Sequence, residues 1–234
     1  MEIPPEEVLR YLGYRDQKLE PAMVRLIEEC RAETKALMRT GVVYRIYPLE
    51  KRGDRIWLPA TTLRLKSKDL SRHLRNADRC VLLAATLGLT LDQKIAAYAR
   101  LDLTRAIIMD ACATAAIEAL CDQVQEQLRT EVAPDGYGVT CRYSPGYGDL
   151  SILYQKDILE MLQAYARIGL TVNENHILLP RKSVTAFIGL VKRERSAPVQ
   201  EGDGKTAAGP DRCRRCPDKT CQYREGGDEG ETPT

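Results

Sequence analysis

AIIMDACATAAIEALC, residues 106–121, is the stretch on which the fold turns. Small and apolar side chains dominate it, so a helix here is buried over most of its circumference and lies close against a neighbouring layer. That layer is supplied by β-rich segments on either side. RCVLLAATLG (79–88) reads as a buried strand ending at Gly88, and HILLPRKSVTAFIGLVKR (176–193) as an extended pair interrupted at Pro180. VVYRIYPLE (42–50) and RIWLPATTLRL (55–65), with Arg52-Gly53-Asp54 between them, read as a β-hairpin or meander.

Helical patterns fill the remainder. They cover residues 4–14, 20–40, Leu70 to Asn76, a long run from Thr90 to Val132 broken near Arg100 to Asp102, and Ile152 to Ile168 with Leu153, Ile158, Leu159 and Leu162 inward. The expected class is α+β, with helices packed on a largely antiparallel twisted sheet. Residues 1–193 form the folded domain. Residues 194–212 lose nearly all apolar side chains and read as a flexible linker, and 213–234 carry a cysteine cluster.

Charge narrows the function classes. Lys and Arg total 35 against 33 Asp and Glu, a net of +2, which argues against a nucleic-acid binder. No apolar run reaches the length of about 18 residues that spans a bilayer. The start, MEIPPEEVLRYLGY, has neither the basic beginning nor the apolar core of a signal peptide, so a cytoplasmic location is expected. Two histidines, His73 and His176, are too few for ordinary acid–base or zinc-hydrolase chemistry, and both read as surface or structural groups. Cys30, Cys80, Cys112, Cys121 and Cys141 are scattered among mostly apolar neighbours and act as small hydrophobes.

Three features carry chemistry. Asp110, Thr114 and Glu118 stand four residues apart in the small-residue helix, with Asp122 one turn further, so all share one stripe. Either an arginine from the sheet satisfies Glu118 or the stripe faces water, or else the helix is one wall of a site in which Glu118 meets a cationic group. The second feature is RYSPGYGD, Arg142 to Asp149. Pro145 fixes φ and the glycines tolerate φ > 0, so the segment turns tightly and leaves amides exposed. Tyr143 or Tyr147 could stack on a heterocycle, and Arg142 could grip a carboxylate in bidentate fashion. A plain connecting loop with a solvated arginine remains the alternative. The third is Cys213, Cys216 and Cys221 in CRRCPDKTCQYR, whose C-x2-C-x4-C spacing suits a metal. A structural zinc completed from elsewhere, an iron–sulfur cluster with one open iron and a metal-free tail are all open.

RYSPGYGD resembles the Arg-x-x-Pro-Gly-Tyr signature of the reactivation domain of cobalamin-dependent methionine synthase. It is closer still to short, stand-alone relatives carrying Arg-Phe-Ser-Pro-Gly-Tyr-Gly-Asp. LRYLGYR (9–15), LLAATLG (82–88), AAIEALCD (115–122), Gln155, RIGLTVNENHILLPRKSVTAFIGL (167–190) and the terminal cysteine cluster resemble that short family in the same order, across almost the whole chain. The resemblance implies a methionine synthase activation-like domain that binds S-adenosylmethionine. Arg142 would hold the ligand's carboxylate, Tyr143 and Ser144 would present backbone to the adenine, with Pro145, Gly146 and Tyr147 completing the loop, and Glu118 and Thr114 would lie near the positive end. Gly148, Asp149, Lys182 and Ser183 would face the corrinoid partner.

The implied function is reactivation in trans of a cobalamin-dependent methyltransferase, methionine synthase or another corrinoid protein. The partner carries the cobalamin and an electron donor such as flavodoxin supplies the electron. No side chain is required as an acid, base or nucleophile. Where the long form continues with a Pro- and His-containing stretch, this chain has Gly148-Asp149-Leu150-Ser151. A non-catalytic adaptor for a corrinoid protein, and an electron-transfer protein built on the cysteine tail, are the competing functions.

Overall fold

β5 (Arg79–Thr86) forms because its eight residues are apolar almost throughout, and it takes the centre of a sheet covered on both faces. The protein is described here from a computed structural model covering residues 1–14, 17–59 and 61–193. The segments expected to be a linker (194–212) and a cysteine tail (213–234) lie outside the described residues. Before β5 come α1 (Pro5–Tyr11), α2 (Pro21–Leu37), β1 (Gly41–Pro48), β2 (Glu50–Arg52), β3 (Arg55–Trp57), β4 (Arg64–Lys66) and α3 (Lys68–His73). After it come α4 (Leu89–Leu101), α5 (Leu103–Val132), β6 (Tyr137–Val139), α6 (Tyr154–Leu162) and α7 (Ala164–Ile168). The chain then continues through β7 (Thr171–Val172), β8 (Leu178–Leu179) and β9 (Ser183–Lys192).

The main sheet has the order β1-β5-β9-β6, every pair antiparallel. Side chains alternate between its two faces. Val81, Leu83 and Ala85 of β5, with Ala186 and Ile188 of β9, pack under α1, α2, α4 and α5. Leu82, Ala84 and Phe187 pack on the other side, with Leu70, Leu74, Ile158 and Leu162. α5 lies close on the first face because Ala113, Ala115 and Ala116 carry so little bulk there, and all three are buried. The break before α5 falls at Asp102, whose extended backbone ends α4 and whose Oδ1 accepts from Arg105 N at 3.0 Å.

Three expectations differ in detail. The 42–50 segment meets 55–65 only at its last residue, Glu50 opposite Trp57; β1 pairs along its whole length with β5, from Gly41 opposite Thr86 to Pro48 opposite Arg79. Eight matched residues outcompete the three available before Pro59, and those three form with β2 the expected hairpin across Gly53-Asp54, which β4 extends into a small meander. The 176–193 segment splits at Pro180 as expected, but β8 pairs with β7, not with β9. The 152–168 helix is two helices, parted at Gln163, whose φ is +53°. Ile158, Leu159 and Leu162 are buried as expected, whereas Leu153 is exposed.

Candidate functional site

Two cations arriving from distant segments pair with the three acids of the α5 stripe. Asp110, Thr114, Glu118 and Asp122 share one face because four residues make about one helical turn. At the start of the stripe, Lys182 Nζ donates to Asp110 Oδ1 at 2.8 Å and to Thr114 Oγ1 at 2.9 Å. At its far end, Arg142 Nη2 donates to Glu118 Oε2 at 2.9 Å, and Nη1 to Asp122 Oδ1 at 2.7 Å and to Gln125 Oε1 at 3.1 Å. The Arg142 side chain is 4% exposed, while Glu118 and Asp122 are 28% and 29% exposed. The guanidinium is thus drawn inward and its acids stay at the rim. Glu118 is thus paired with an arginine, which comes from the loop after β6 rather than from a strand of the sheet. α1 closes the same region: burial pushes the Tyr11 hydroxyl pKa up, and the nearby charge of Glu118 adds to that.

The loop that delivers Arg142 is anchored along the edge of β9. Tyr143 makes a two-way backbone rung with Phe187, at 2.9 and 2.8 Å. Beyond it Tyr147 N bonds Ser144 O at 3.2 Å, Leu150 N bonds Tyr147 O at 3.0 Å, and Gly146 N bonds Leu150 O at 2.8 Å. These interlocked turns hold Gly146 at φ +93° and Gly148 at φ +50°. Pro145 is buried, while Gly146, Tyr147, Gly148 and Asp149 are exposed. Tyr143 packs against His73 at 5.3 Å with the rings tilted by 40°, and meets Tyr147 edge-on at 6.2 Å. His73 Nε2 lies 2.8 Å from Cys141 O, so that nitrogen carries the proton. Burial holds the His73 pKa below its ordinary value.

Gly148 has a second reason to be glycine. A Cβ there would come within 2.5 Å of Asp69 Oδ2 and 2.6 Å of the Tyr143 hydroxyl. Gly148→Ala is therefore expected to destabilise the domain by about 2 kcal/mol, read as a lowered urea midpoint at unchanged slope. An unchanged midpoint would show that the loop yields freely.

Asp149 binds the loop to α3. Its carboxylate accepts from Ser67 Oγ, from Lys68 N at 2.7 Å and from Asp69 N at 3.2 Å. These bonds, the Ser67 hydroxyl first, lower its pKa from the ordinary 3.8. With the folded pKa depressed, the carboxylate's stabilising contribution is complete above about pH 4 and disappears as pH falls through the folded value. The melting temperatures of wild type and Asp149→Ala are expected to differ at pH 7, and the gap to narrow as pH falls below about 4. A gap that stays constant as the pH falls would contradict this.

Of the residues singled out in the sequence, Thr114, Glu118, Arg142 and Lys182 come together on the α5 face. Tyr143, Ser144, Pro145, Gly146 and Tyr147 follow directly from Arg142. Gly148 and Asp149 sit over α3, and Ser183 Oγ turns back to Pro180 O at 2.7 Å and Thr86 Oγ1 at 2.8 Å. Gln125 was not among the expected site residues, although its place one turn past Asp122 continues the stripe.

No family model matches the chain, and no curated protein matches it. Among solved structures, the crystal structure of the MetH reactivation domain bound to AdoHcy superposes with a TM-score of 0.57 at 18% identity, covering 85% of this chain and 79% of that one. The fold is that of the MetH reactivation domain. The expected α+β class, helices on an antiparallel sheet, accordingly stands.

Two further features of this reactivation-domain fold lie away from Arg142. A cavity of roughly 720 Å³ opens beside α6 and α7, lined among others by Lys156, Gln163, Tyr165, Asn173 and His176. Among the described residues no group of three or more His, Cys, Asp or Glu is arranged to hold a metal ion. Cys213, Cys216 and Cys221 lie outside them. Cys30, Cys80, Cys112 and Cys121 are buried and form no disulfide. Burial pushes Cys30 to about 11 and Cys80 and Cys112 to about 12, so they pack as neutral groups. No helix among the described residues is long and apolar enough to cross a membrane.

Proposed function

We propose that this chain is a stand-alone reactivation domain. It binds S-adenosylmethionine between α5 and the Arg142 loop and presents the ligand's methyl group to reduced cobalamin carried by a partner. The observation that carries the reading is the meeting of Arg142 and Glu118 at 2.9 Å on the α5 face, within a fold shared with a domain whose crystal structure holds AdoHcy. A guanidinium and a carboxylate side by side offer complementary groups for the two ends of a zwitterion.

In this reading Arg142 takes the ligand's carboxylate, and Glu118, with the Thr114 hydroxyl, faces its positive end. The main chain of Tyr143, Ser144, Pro145 and Gly146 lines the adenine edge, and Tyr147, 54% exposed, supplies a ring to stack on. Gly148, Asp149, Lys182 and Ser183 form the rim toward the cobalamin-binding module of methionine synthase or another corrinoid protein. The bound ligand supplies the transferable methyl. The protein supplies position, so no acid, base or nucleophile is needed. An electron donor such as flavodoxin supplies the electron, and the location is cytoplasmic.

Titration calorimetry with S-adenosylmethionine and S-adenosylhomocysteine tests this. Saturable one-to-one binding of both is expected. A second reading, a non-catalytic corrinoid-protein adaptor, is favoured by the internal satisfaction of Arg142, and absence of heat with either nucleoside would leave it standing. A third reading rests on Cys213, Cys216 and Cys221 as a zinc or iron–sulfur site serving electron transfer. A colourless, iron-free sample purified without oxygen would end the iron–sulfur version.

A further inference from the structure

We infer that Gln125 and Asp122 are positioning residues for Arg142, holding its Nη1 edge in place while the Nη2 edge is the one exchanged with a ligand. The inference rests on the nucleoside-binding reading above and assigns roles within that site to Gln125, which was not expected there, and to Asp122, which the sequence placed only in the acidic stripe.

The two edges of the guanidinium are held differently. Nη1 is tied twice, to Asp122 Oδ1 at 2.7 Å and to Gln125 Oε1 at 3.1 Å. Gln125 is itself fixed at its other end, since its Nε2 donates to Thr140 O at 3.3 Å. Thr140 is bound into the sheet in turn: its N–H donates to Gly189 O, and its hydroxyl accepts from Gly189 N, each at 2.9 Å. A continuous chain of hydrogen bonds therefore runs from β9 through Thr140 and Gln125 to Nη1. Nη2 donates to Glu118 Oε2, at 2.9 Å.

A planar fork held along one edge can turn only about that edge. An arriving carboxylate that is to accept from Arg142 meets the Nη2 side and replaces Glu118 there. Glu118, one turn nearer Thr114, is then placed to take the ligand's cationic group. Each charge exchanges one partner for another of the same sign, so no ion is left alone in the low-dielectric setting where that is costly. Without Gln125 the guanidinium loses its link to the sheet. Its plane then turns, and the carboxylate loses alignment although the charge remains.

Two probes separate positioning from general damage. S-Adenosylhomocysteine carries the carboxylate, whereas 5′-methylthioadenosine has the same nucleoside and thioether without the amino-acid group. In calorimetry, Gln125→Leu should weaken S-adenosylhomocysteine about tenfold and leave 5′-methylthioadenosine within about twofold. Equal losses for both probes, or no loss for either, overturn the inference. Should Gln125→Leu fail to fold, Asp122→Asn, which keeps the side chain's shape, carries the same comparison.

Side-chain 15N spectra of Arg142 give a readout that needs no ligand. Slow rotation with resolved Nη signals is expected in the wild type, and averaged signals in Gln125→Leu. Unchanged spectra overturn the positioning role. Failure of the wild type to bind either probe, with the spectra behaving as expected, overturns the nucleoside reading and the exchange at Nη2 while the anchoring itself survives.

Discussion

Arg142→Ala should weaken S-adenosylmethionine binding by about 100-fold. A bidentate contact between guanidinium and carboxylate contributes two charge-assisted hydrogen bonds, each contributing about 1.5 kcal/mol, and 1.4 kcal/mol corresponds to tenfold in affinity. Arg142→Lys keeps the charge but not the fork, so an intermediate loss of about tenfold is expected. The alanine variant also leaves Glu118 and Asp122 one turn apart on α5 without their shared cation. In a sealed interior that would cost about 3–5 kcal/mol. Here both acids are more than a quarter exposed, water compensates them, and a stability loss of about 1–2 kcal/mol is expected. Calorimetry and urea unfolding of the same preparations measure the two effects separately. Retention of wild-type affinity in Arg142→Ala would remove the basis for placing the ligand's carboxylate at this loop.

Phe187→Ala is expected to cost about 3–5 kcal/mol of folding stability, the usual range for truncating a fully buried aromatic ring. Phe187 has no exposed surface and projects from β9 into the layer formed by α3, α6 and the β2-β3-β4 meander. Its main chain also forms the rung that fixes Tyr143, next to Arg142. One substitution therefore opens a cavity and loosens the residue that sets the direction of the loop. Phe187→Leu preserves most of the volume and should cost about 1 kcal/mol. Urea unfolding checks both, and a loss below about 1 kcal/mol in the alanine variant would mean that the two layers close over the missing ring.

Much of this architecture was legible in the residues. The Ala-rich composition of α5 announces a helix pressed against a sheet, the unbroken apolar run of β5 announces a strand covered on both sides, and Asp102 marks the turn between α4 and α5. Strand partners were legible only around Gly53-Asp54, where β2 and β3 pair as the turn residues suggest. β1 and β8 read correctly as extended, yet periodicity describes one segment at a time and says nothing of its partner. The split at Gln163 escaped because nothing in its neighbours' pattern forces the left-handed backbone that interrupts the helix.

The candidate site divides in the same way. The acidic stripe was visible from spacing alone, because helical geometry fixes which residues share a face. That Arg142 reaches Glu118 across 24 residues depends on where the loop crosses β9, which only the folded chain determines. Gln125 was missed because a polar residue on a helix, read locally, is indistinguishable from a solvated one. Its second bond, to Thr140 O, is what sets it apart.

β6 accompanies β9 over only three residues, 190–192, and Tyr143 adds a single rung at Phe187. Among the described residues no strand lies beside 183–186 on that side, although Thr185 and Ala186 are buried, at 2% and 0% exposure. Such margins invite stacking with neighbouring molecules, and natural sheets blunt them with lysine. Lys182 stands at the head of this stretch with its ammonium committed to Asp110 and Thr114. With Thr185 and Ala186 also closed off from solvent, an incoming strand finds little open edge here to extend.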